Sequence, residues 1–214
     1  MTHYLSLLAG LTLGSMTPVA TANTAPDDTL RFRVLLDGDS IGQHHFELRT
    51  SGDTREVVSK ADFRVRLLFV DVYRYRHTAT ERWRGDCLES LTAHTDDNGE
   101  VEVVAARRGG EGLEVKATRT RARHNGCVRS FAYWNPKILD GGRLLNTQTG
   151  EYLPVRVAPL GEERIPVRGR FEDTRRYRLT AQGMEIDLWY ADGEEWVALE
   201  SRAGDGRRLR YERQ

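Results

Sequence analysis

The sequence lacks the short motifs that identify common catalytic sites. It has no G-x-S-x-G nucleophile elbow, no P-loop, no G-x-G-x-x-G fingerprint and no H-E-x-x-H zinc motif. Most histidines are single, and the adjacent pair His44-His45 would point to opposite faces of a strand and would not chelate one metal ion. We therefore predict a protein without cofactor or metal, and the sequence favours a non-enzymatic role.

Cysteine is also scarce, because Cys87 and Cys127 are the two in the chain. Their spacing excludes a C-x-x-C redox motif, and two cysteines alone do not form a zinc site. In an oxidising compartment the simplest prediction is one intrachain disulfide that closes a loop of about 40 residues. A pair of free thiols or an intermolecular bridge is the alternative.

The chain has no net charge, because 32 Lys and Arg residues balance 32 Asp and Glu residues. A neutral chain is a poor electrostatic partner for nucleic acid, and we predict no such partner. Lysine is rare, since only Lys60, Lys116 and Lys137 occur. The preference for arginine fits either a codon bias or recognition of carboxylate and phosphate groups by guanidinium.

The first 22 residues contain no Lys, Arg, Asp or Glu. An apolar run from Leu5 to Leu13 leads to Ala20-Thr21-Ala22, whose small residues suit signal peptidase. We predict a signal peptide over residues 1–22, cleavage after Ala22, and a periplasmic or secreted mature protein. A transmembrane anchor is the alternative, but the run is much shorter than the ~20 residues that cross a bilayer. No stable membrane anchor is therefore expected after cleavage.

Period-two alternation dominates residues 23–214, and turn signals such as Asp37-Gly38 and Asn98-Gly99 interrupt it. This pattern predicts a single antiparallel β domain of roughly ten to twelve strands. A sheet that large usually curls or closes. The predicted fold class is all-β, either a large curved sheet or an open or closed β-barrel, lipocalin-like or lipoprotein-carrier-like.

Two segments depart from the alternation. One short helical turn is predicted over Pro136 to Leu139, with Asn135 as its N-cap and Trp134 as its anchor on the sheet. Leu67 to Val70 is apolar throughout. This run is expected either to bend its strand or to be buried on both faces.

Several groups of residues resemble an uncharacterised family of exported bacterial β-rich proteins, known as a domain of unknown function. The resemblance covers nearly all of the mature chain but implies no activity and no catalytic residue. The residues that carry it are Tyr73-x-Tyr75-x-His77, Glu81-x-Trp83-x-Gly85-x-Cys87-Leu88, Ser130-x-x-x-Trp134-Asn135, Leu144-Leu145-Asn146 and Leu188-Trp189-Tyr190.

The candidate ligand-binding residues share one face of a predicted strand: Tyr73, Tyr75, His77, Glu81 and Trp83. A histidine and a carboxylate among aromatic rings can hold a polar group of a ligand or exchange protons with it. The alternative is a buried pair with a structural role. Phe63, Met184, Ile186 and Tyr190 are expected to add to the same inner face.

These residues suggest an exported protein that binds an apolar or amphipathic ligand, with lipid as one candidate, in the concavity of its sheet. The first alternative is a structural or assembly factor of the cell envelope, which would have a protein partner and a filled interior. The second alternative is an enzyme that uses His77 and Glu81, although no nucleophile stands beside them in the sequence.

Overall fold

The computed structural model describes residues 27–67 and 69–214, so the predicted signal peptide lies outside the described residues. Strands make up most of this part of the chain, and no helix within it has the length and apolarity to cross a membrane. The strands are β1 (Asp28–Leu36), β2 (Asp39–Ser51), β3 (Thr54–Leu67), β4 (Val70–Arg84), β5 (Cys87–Asp97), β6 (Glu100–Gly109), β7 (Gly112–Ala117), β8 (Arg121–His124), β9 (Arg129–Ser130), β10 (Gly142–Leu145), β11 (Tyr152–Val167), β12 (Arg170–Ala181), β13 (Met184–Ala191), β14 (Trp196–Arg202) and β15 (Arg208–Arg213).

All fifteen strands belong to one sheet. Strands β1 to β8 form one antiparallel meander, and β9 to β15 form a second, in which β9 and β10 are parallel. The two meanders meet where β1 pairs with β15, so the first and last strands lie side by side in the middle of the sheet. The predicted all-β fold with a large curved sheet is confirmed. The strand count exceeds the expectation, partly because β8, β9 and β10 are too short to show an alternation.

The curl of the sheet brings its second meander back onto the first. Strands β8 and β9 lie at opposite edges of the sheet, yet few residues separate them in the chain. Cys127 in this connection forms the predicted disulfide with Cys87 at the start of β5, with the two Cα atoms 4.9 Å apart. Beside it, the amide of Leu88 donates to the carbonyl of Val128 at 2.8 Å. The disulfide prediction is confirmed, and the bond fastens the start of the second meander to β5.

Alternation along most strands produces a buried inner face and an exposed outer face. Strands β13 and β14 are buried on both faces, and Trp189 and Val197 belong to a second, smaller apolar cluster. In β4, every second residue from His77 to Trp83 is buried, whereas the residues between them are exposed. Buried side chains from both meanders, among them Phe32, Leu88 and Trp196, form one large apolar cluster inside the curl. The curved sheet is therefore held in shape by an interior that both meanders share.

Residues 131–140 leave the sheet and pack inside the curl. The side-chain oxygen of Asn135 accepts a hydrogen bond from the amide of Lys137 at 3.0 Å and caps a 3₁₀ turn over Pro136–Asp140. Trp134 is buried, with its ring edge-to-face on Trp83 and the ring centroids 5.3 Å apart. The predicted turn, its cap and its anchor are confirmed. A second 3₁₀ turn at Asp192–Glu194 was not predicted.

The turn after β10 reaches across to β7. Gly150 has a φ angle of 76°, and a Cβ atom at this position would lie 2.7 Å from the Cβ of Ala117. Glycine satisfies both the backbone conformation and the close approach. The side chain of Asn146 accepts from the amide of Gln148 at 2.8 Å and shapes the turn. Residues 146–150 therefore pack directly on the first meander.

The apolar run Leu67 to Val70 is not buried where the structure describes its side chains. The chain turns back between β3 and β4 here, and Phe69 is fully exposed while Val70 is 64% exposed. The expectation that this run bends a strand or is buried on both faces is therefore wrong. Phe69 and Val70 lie at the end of the hairpin and do not belong to the apolar cluster inside the curl.

The disulfide should contribute substantially to stability, because it closes a loop with a sequence separation of 40. The chain-entropy model gives about 4 kcal/mol for a loop of this length. We expect reduction to lower the free energy of unfolding by up to that amount in urea denaturation at pH 7. The double variant Cys87→Ser/Cys127→Ser should match the reduced wild type. Coincident unfolding curves for the oxidised and reduced forms would contradict this role.

Candidate functional site

The inner face of β4 borders a cavity of about 240 Å³. Its wall combines β2, β3 and β4 of the first meander with β13, β14 and β15 of the second, and residues 131–134 and 146–148 cover it. Most lining groups are apolar or aromatic. The polar lining residues are His44, Ser59, Tyr75, His77, Glu81, Tyr133, Asn146, Thr147, Gln148, Ser201 and Tyr211.

His77 is buried, and its ring forms part of the cavity wall. Its Nδ1 lies 2.9 Å from the hydroxyl of Thr95, the residue paired with it on β5. Burial, with a smaller effect from His94, lowers the pKa of His77 to about 4. The ring is therefore neutral at pH 7 and offers hydrogen bonding without charge.

Glu81 is equally buried, and it receives two hydrogen bonds from neutral donors. Ser130 on β9 donates its hydroxyl to Oε1 at 2.7 Å, and the indole of Trp83 donates to Oε2 at 3.0 Å. Burial raises the pKa of Glu81, while the two hydrogen bonds oppose that rise. The carboxyl group thus sits at the cavity wall in an environment that resists ionisation.

A second histidine, His44, reaches the cavity from β2. Its Nε2 lies 2.7 Å from the hydroxyl of Ser59, and its Nδ1 lies 3.4 Å from that of Tyr211. The ring stacks on Phe46 with centroids 4.2 Å apart. Burial, followed by the neighbouring His77 and His45, holds the pKa of His44 well below its usual value. Part of the ring surface faces the cavity even though packed side chains surround it.

Sequence reasoning missed His44 and Ser130. Period-two alternation places the rings of His44 and His45 on opposite faces of a strand, but it does not indicate the contact of His44 with Ser59. This contact depends on the pairing of β2 with β3, in which His44 lies opposite Ala61. Ser130 lies 49 residues from Glu81 in the chain. Its approach depends on the curl of the sheet, which no local pattern reveals.

Trp83 is predicted to be a ligand-binding residue, but it does not line the cavity. Its side chain is 0% exposed and packs behind the wall against Trp134. The indole N–H instead donates a hydrogen bond to the carboxyl group of Glu81. Trp83 is therefore a positioning and core residue, and we correct its assignment as a direct ligand contact.

A second, wider opening of about 760 Å³ adjoins the cavity and shares Tyr75, Gln148, Leu209 and Tyr211 with it. Tyr73 lines this outer opening, where burial and a hydrogen bond with Asp97 raise the pKa of its hydroxyl. Tyr75 belongs to both spaces. The predicted ligand-binding residues therefore lie in two spaces. His77 and Glu81 line the inner cavity, Tyr73 lines the outer opening, and Tyr75 lines both.

The other expected inner-face residues are divided in the same way. Met184 and Ile186 line the inner cavity, and Phe63 lines the outer opening. Tyr190 lines neither, and its hydroxyl donates to the carbonyl of Tyr133 at 2.8 Å. No group of three or more His, Cys, Asp or Glu side chains that could hold a metal ion occurs in residues 27–67 and 69–214.

The depressed pKa of His77 should appear in the pH dependence of stability. Unfolded histidine titrates near pH 6.5, so between that pH and about pH 4 the unfolded chain binds the additional proton. Stability from the neutral ring is full above about pH 6.5 and lost as the pH falls towards 4. We expect this loss to reach up to about 3 kcal/mol, measured by urea unfolding.

The variant His77→Asn should reduce the slope of that profile between pH 7 and pH 4, because the ring of His77 no longer titrates while the buried His44 still contributes. The matched control is His94→Asn, which removes an exposed ring on neighbouring β5. Its profile should stay close to the wild type, because burial is the larger cause of the His77 shift. An unchanged slope in His77→Asn would show that this ring does not titrate below its usual pKa.

Comparisons with known proteins agree with this architecture. Among solved structures, the crystal structure of a β-barrel-like protein of the domain of unknown function DUF1849 from Brucella abortus is similar, with a TM-score of 0.66. Its sequence identity is 11%, and the alignment covers 87% of this chain and 94% of that chain, so the similarity shows the fold alone. No curated protein matches the sequence. Residues 32–214 match the family model described as a domain of unknown function, DUF6134, and the chain belongs to that family.

Proposed function

We propose that this protein binds a small amphipathic or apolar molecule inside its curled sheet. The observation that carries the proposal is the inner cavity, whose wall is mainly apolar and aromatic and includes the buried polar groups of His77 and Glu81. Ligand sites in proteins have this composition, because apolar contact supplies affinity and a few hydrogen-bonding groups fix orientation.

The polar end of such a molecule would lie at His77 and Glu81. Nδ1 of His77 is engaged by Thr95, which leaves Nε2 for a ligand. Each oxygen of Glu81 accepts one hydrogen bond, and a carboxylate oxygen has room for a second. Both groups can therefore contact a ligand without giving up their present partners.

The apolar part would extend into the outer opening, where Ile41, Phe63, Val65 and Leu209 contribute side chains. Tyr75 and Tyr211 lie where the two spaces meet. The outer opening is also lined by charged residues that are exposed to solvent: Asp39, Arg66, Asp97, Asp205 and Arg207. In the proposed orientation the apolar part of the ligand would lie along the apolar side chains of the opening, and these charged residues would remain in contact with water. With the predicted export signal, lipids and other amphipathic molecules of the cell envelope are the natural candidates.

The close contact between Ser59 and His44 raises the question of acyl transfer. A serine and a histidine in contact are two parts of a hydrolytic site, but such a site also needs donors for the oxyanion. Ser59 lies within β3, between Phe46 of β2 and Ala79 of β4. The sheet on both sides occupies backbone groups that would serve as those donors, and the depressed pKa of His44 makes it a weak base. These features favour binding over catalysis.

The alternative function, an envelope factor that works through protein contacts, is favoured by one other observation. Phe69, Val70 and Val72 are exposed at the end of the β3–β4 hairpin. Exposed apolar residues that cluster in this way often mark interaction sites. The variant Phe69→Ser distinguishes the two functions. It should reduce binding of a protein partner at this surface and leave ligand binding in the cavity unchanged, because Phe69 does not line the cavity.

Filling the cavity tests the proposal directly. Ala79 lines it between His77 and Glu81, and Ala79→Phe would place a ring in the open space. The probe is N-phenyl-1-naphthylamine, a neutral apolar dye whose fluorescence rises in an apolar site. We expect the wild type to bind it and Ala79→Phe to weaken binding about tenfold or more, since a ring would occupy the same volume.

The matched control is Thr78→Phe, which adds the same ring to the exposed face of the same strand. Its dye affinity should equal that of the wild type. Near-ultraviolet circular dichroism should show that both variants remain folded. Absence of binding by the wild type, or equal binding by a folded Ala79→Phe variant, would overturn the proposal.

A further inference from the structure

Three side chains that can carry a full charge at neutral pH are buried among the described residues, and two of them have partners of opposite charge. Asp187 is held by Arg176 and Arg178 at 2.6 and 2.7 Å. Arg213 faces Glu195 at 3.3 Å. Glu81 is as buried as Asp187, yet its hydrogen-bond partners are the neutral groups of Ser130 and Trp83.

This difference is informative because buried charges in proteins are normally paired. The chain carries 32 Lys and Arg residues, and ion pairs are frequent on the outer face of the sheet. The pKa values follow the pairing: the arginines help to lower that of Asp187, whereas burial raises that of Glu81. An acid that this arginine-rich protein leaves without a cation needs an explanation.

The inner cavity as a whole, like Glu81 itself, lacks a positively charged partner among the residues that the structure describes. Its described lining residues include no Arg and no Lys, and Glu81 is the single acid among them. An anionic group placed there would find no cation and would face a carboxyl. A cationic group would find Glu81 as its counter-ion, and ion pairing would favour the charged carboxylate.

Aromatic rings strengthen the preference for an organic cation. Tyr75 and Tyr133 line the cavity with Glu81. Trp134 also lines it, but the guanidinium group of Arg55 already lies over that ring. The faces of such rings attract ammonium groups, and the attraction grows where water is excluded. A metal ion would instead require several hard ligands, and the described residues contain no such group of acids and histidines.

We propose that the inner cavity binds the cationic end of an amphipathic ligand, a primary amine or another organic ammonium, with Glu81 as its counter-ion. This inference rests on the proposed function and specifies the ligand class. It excludes fatty acids, and other ligands whose buried end is anionic, from this orientation. Apolar chains attached to the ammonium group would occupy the outer opening.

The test compares three ligands with one tail: octylamine, octan-1-ol and octanoate, each displacing N-phenyl-1-naphthylamine at pH 7. We expect octylamine to bind about tenfold more tightly than octanol, since a charge-assisted contact in a buried site is worth roughly that factor. Octanoate should bind more weakly than octanol. In Glu81→Gln the advantage of octylamine should disappear, while the affinity for octanol stays near the wild-type value.

Two control variants test whether the preference for octylamine depends on Glu81 or on another acidic residue. Glu56→Gln removes an exposed acid on the outer face of β3, and Asp97→Asn removes an acid at the outer opening. Both should keep the preference for octylamine. Glu81→Gln should be at least as stable as the wild type to urea at pH 7, because glutamine avoids the cost of burying a charge. This result would exclude misfolding as the cause.

The outcomes separate this inference from the proposed function. If the dye binds but octylamine shows no advantage, or if Glu81→Gln preserves the advantage, the inference fails and the binding function survives. If Asp97→Asn abolishes the advantage of octylamine over octanol and Glu81→Gln does not, the cation lies at the outer opening, and the inference is again wrong. If the wild type binds neither dye nor octyl ligand, the proposed function itself fails.

Discussion

The return of the second meander onto β5 is the constraint on which the site depends. The Cys87–Cys127 disulfide and the adjacent hydrogen bond between Leu88 and Val128 hold the β8–β9 connection there. From this point the chain continues directly to Ser130, which reaches Glu81, and to Trp134, which packs on Trp83. This contact therefore helps to hold the cover over the inner face of β4.

The outer face of the sheet carries many ion pairs, whereas the lining of the inner cavity has no Arg or Lys among the described residues. Arginine and acidic side chains pair across neighbouring strands on the outside, as in the contact of Arg33 on β1 with Glu212 on β15 at 2.7 Å. Such exposed pairs contribute little stability individually. Around Trp189 the stems and guanidinium groups of Arg176 and Arg210 also cover apolar surface. In the part of the chain that the structure describes, by contrast, the lining of the inner cavity contains no Arg or Lys and one acid, Glu81.

Local patterns were sufficient to predict the fold class and the composition of β4, because burial on one face imposes a period of two. They also identified the capped turn at Pro136–Asp140. They were insufficient for contacts between distant parts of the chain, such as those of Ser130 with Glu81 and His44 with Ser59. Trp83 shows a further limit: alternation assigns a side chain to the inner face but does not distinguish the cavity surface from the packed layer behind it.

The pairing of β1 with β15 has a consequence for how the molecule is made. Because the first and last strands are neighbours in the middle of the sheet, the two meanders cannot pair into one continuous sheet until residues 208–213 are available. Contacts between residues so far apart in the chain make folding slow. If the chain is exported unfolded, the whole polypeptide must cross the membrane before the sheet is complete. Until then both meanders expose a strand edge, which is the period when this protein is most vulnerable to aggregation and proteolysis.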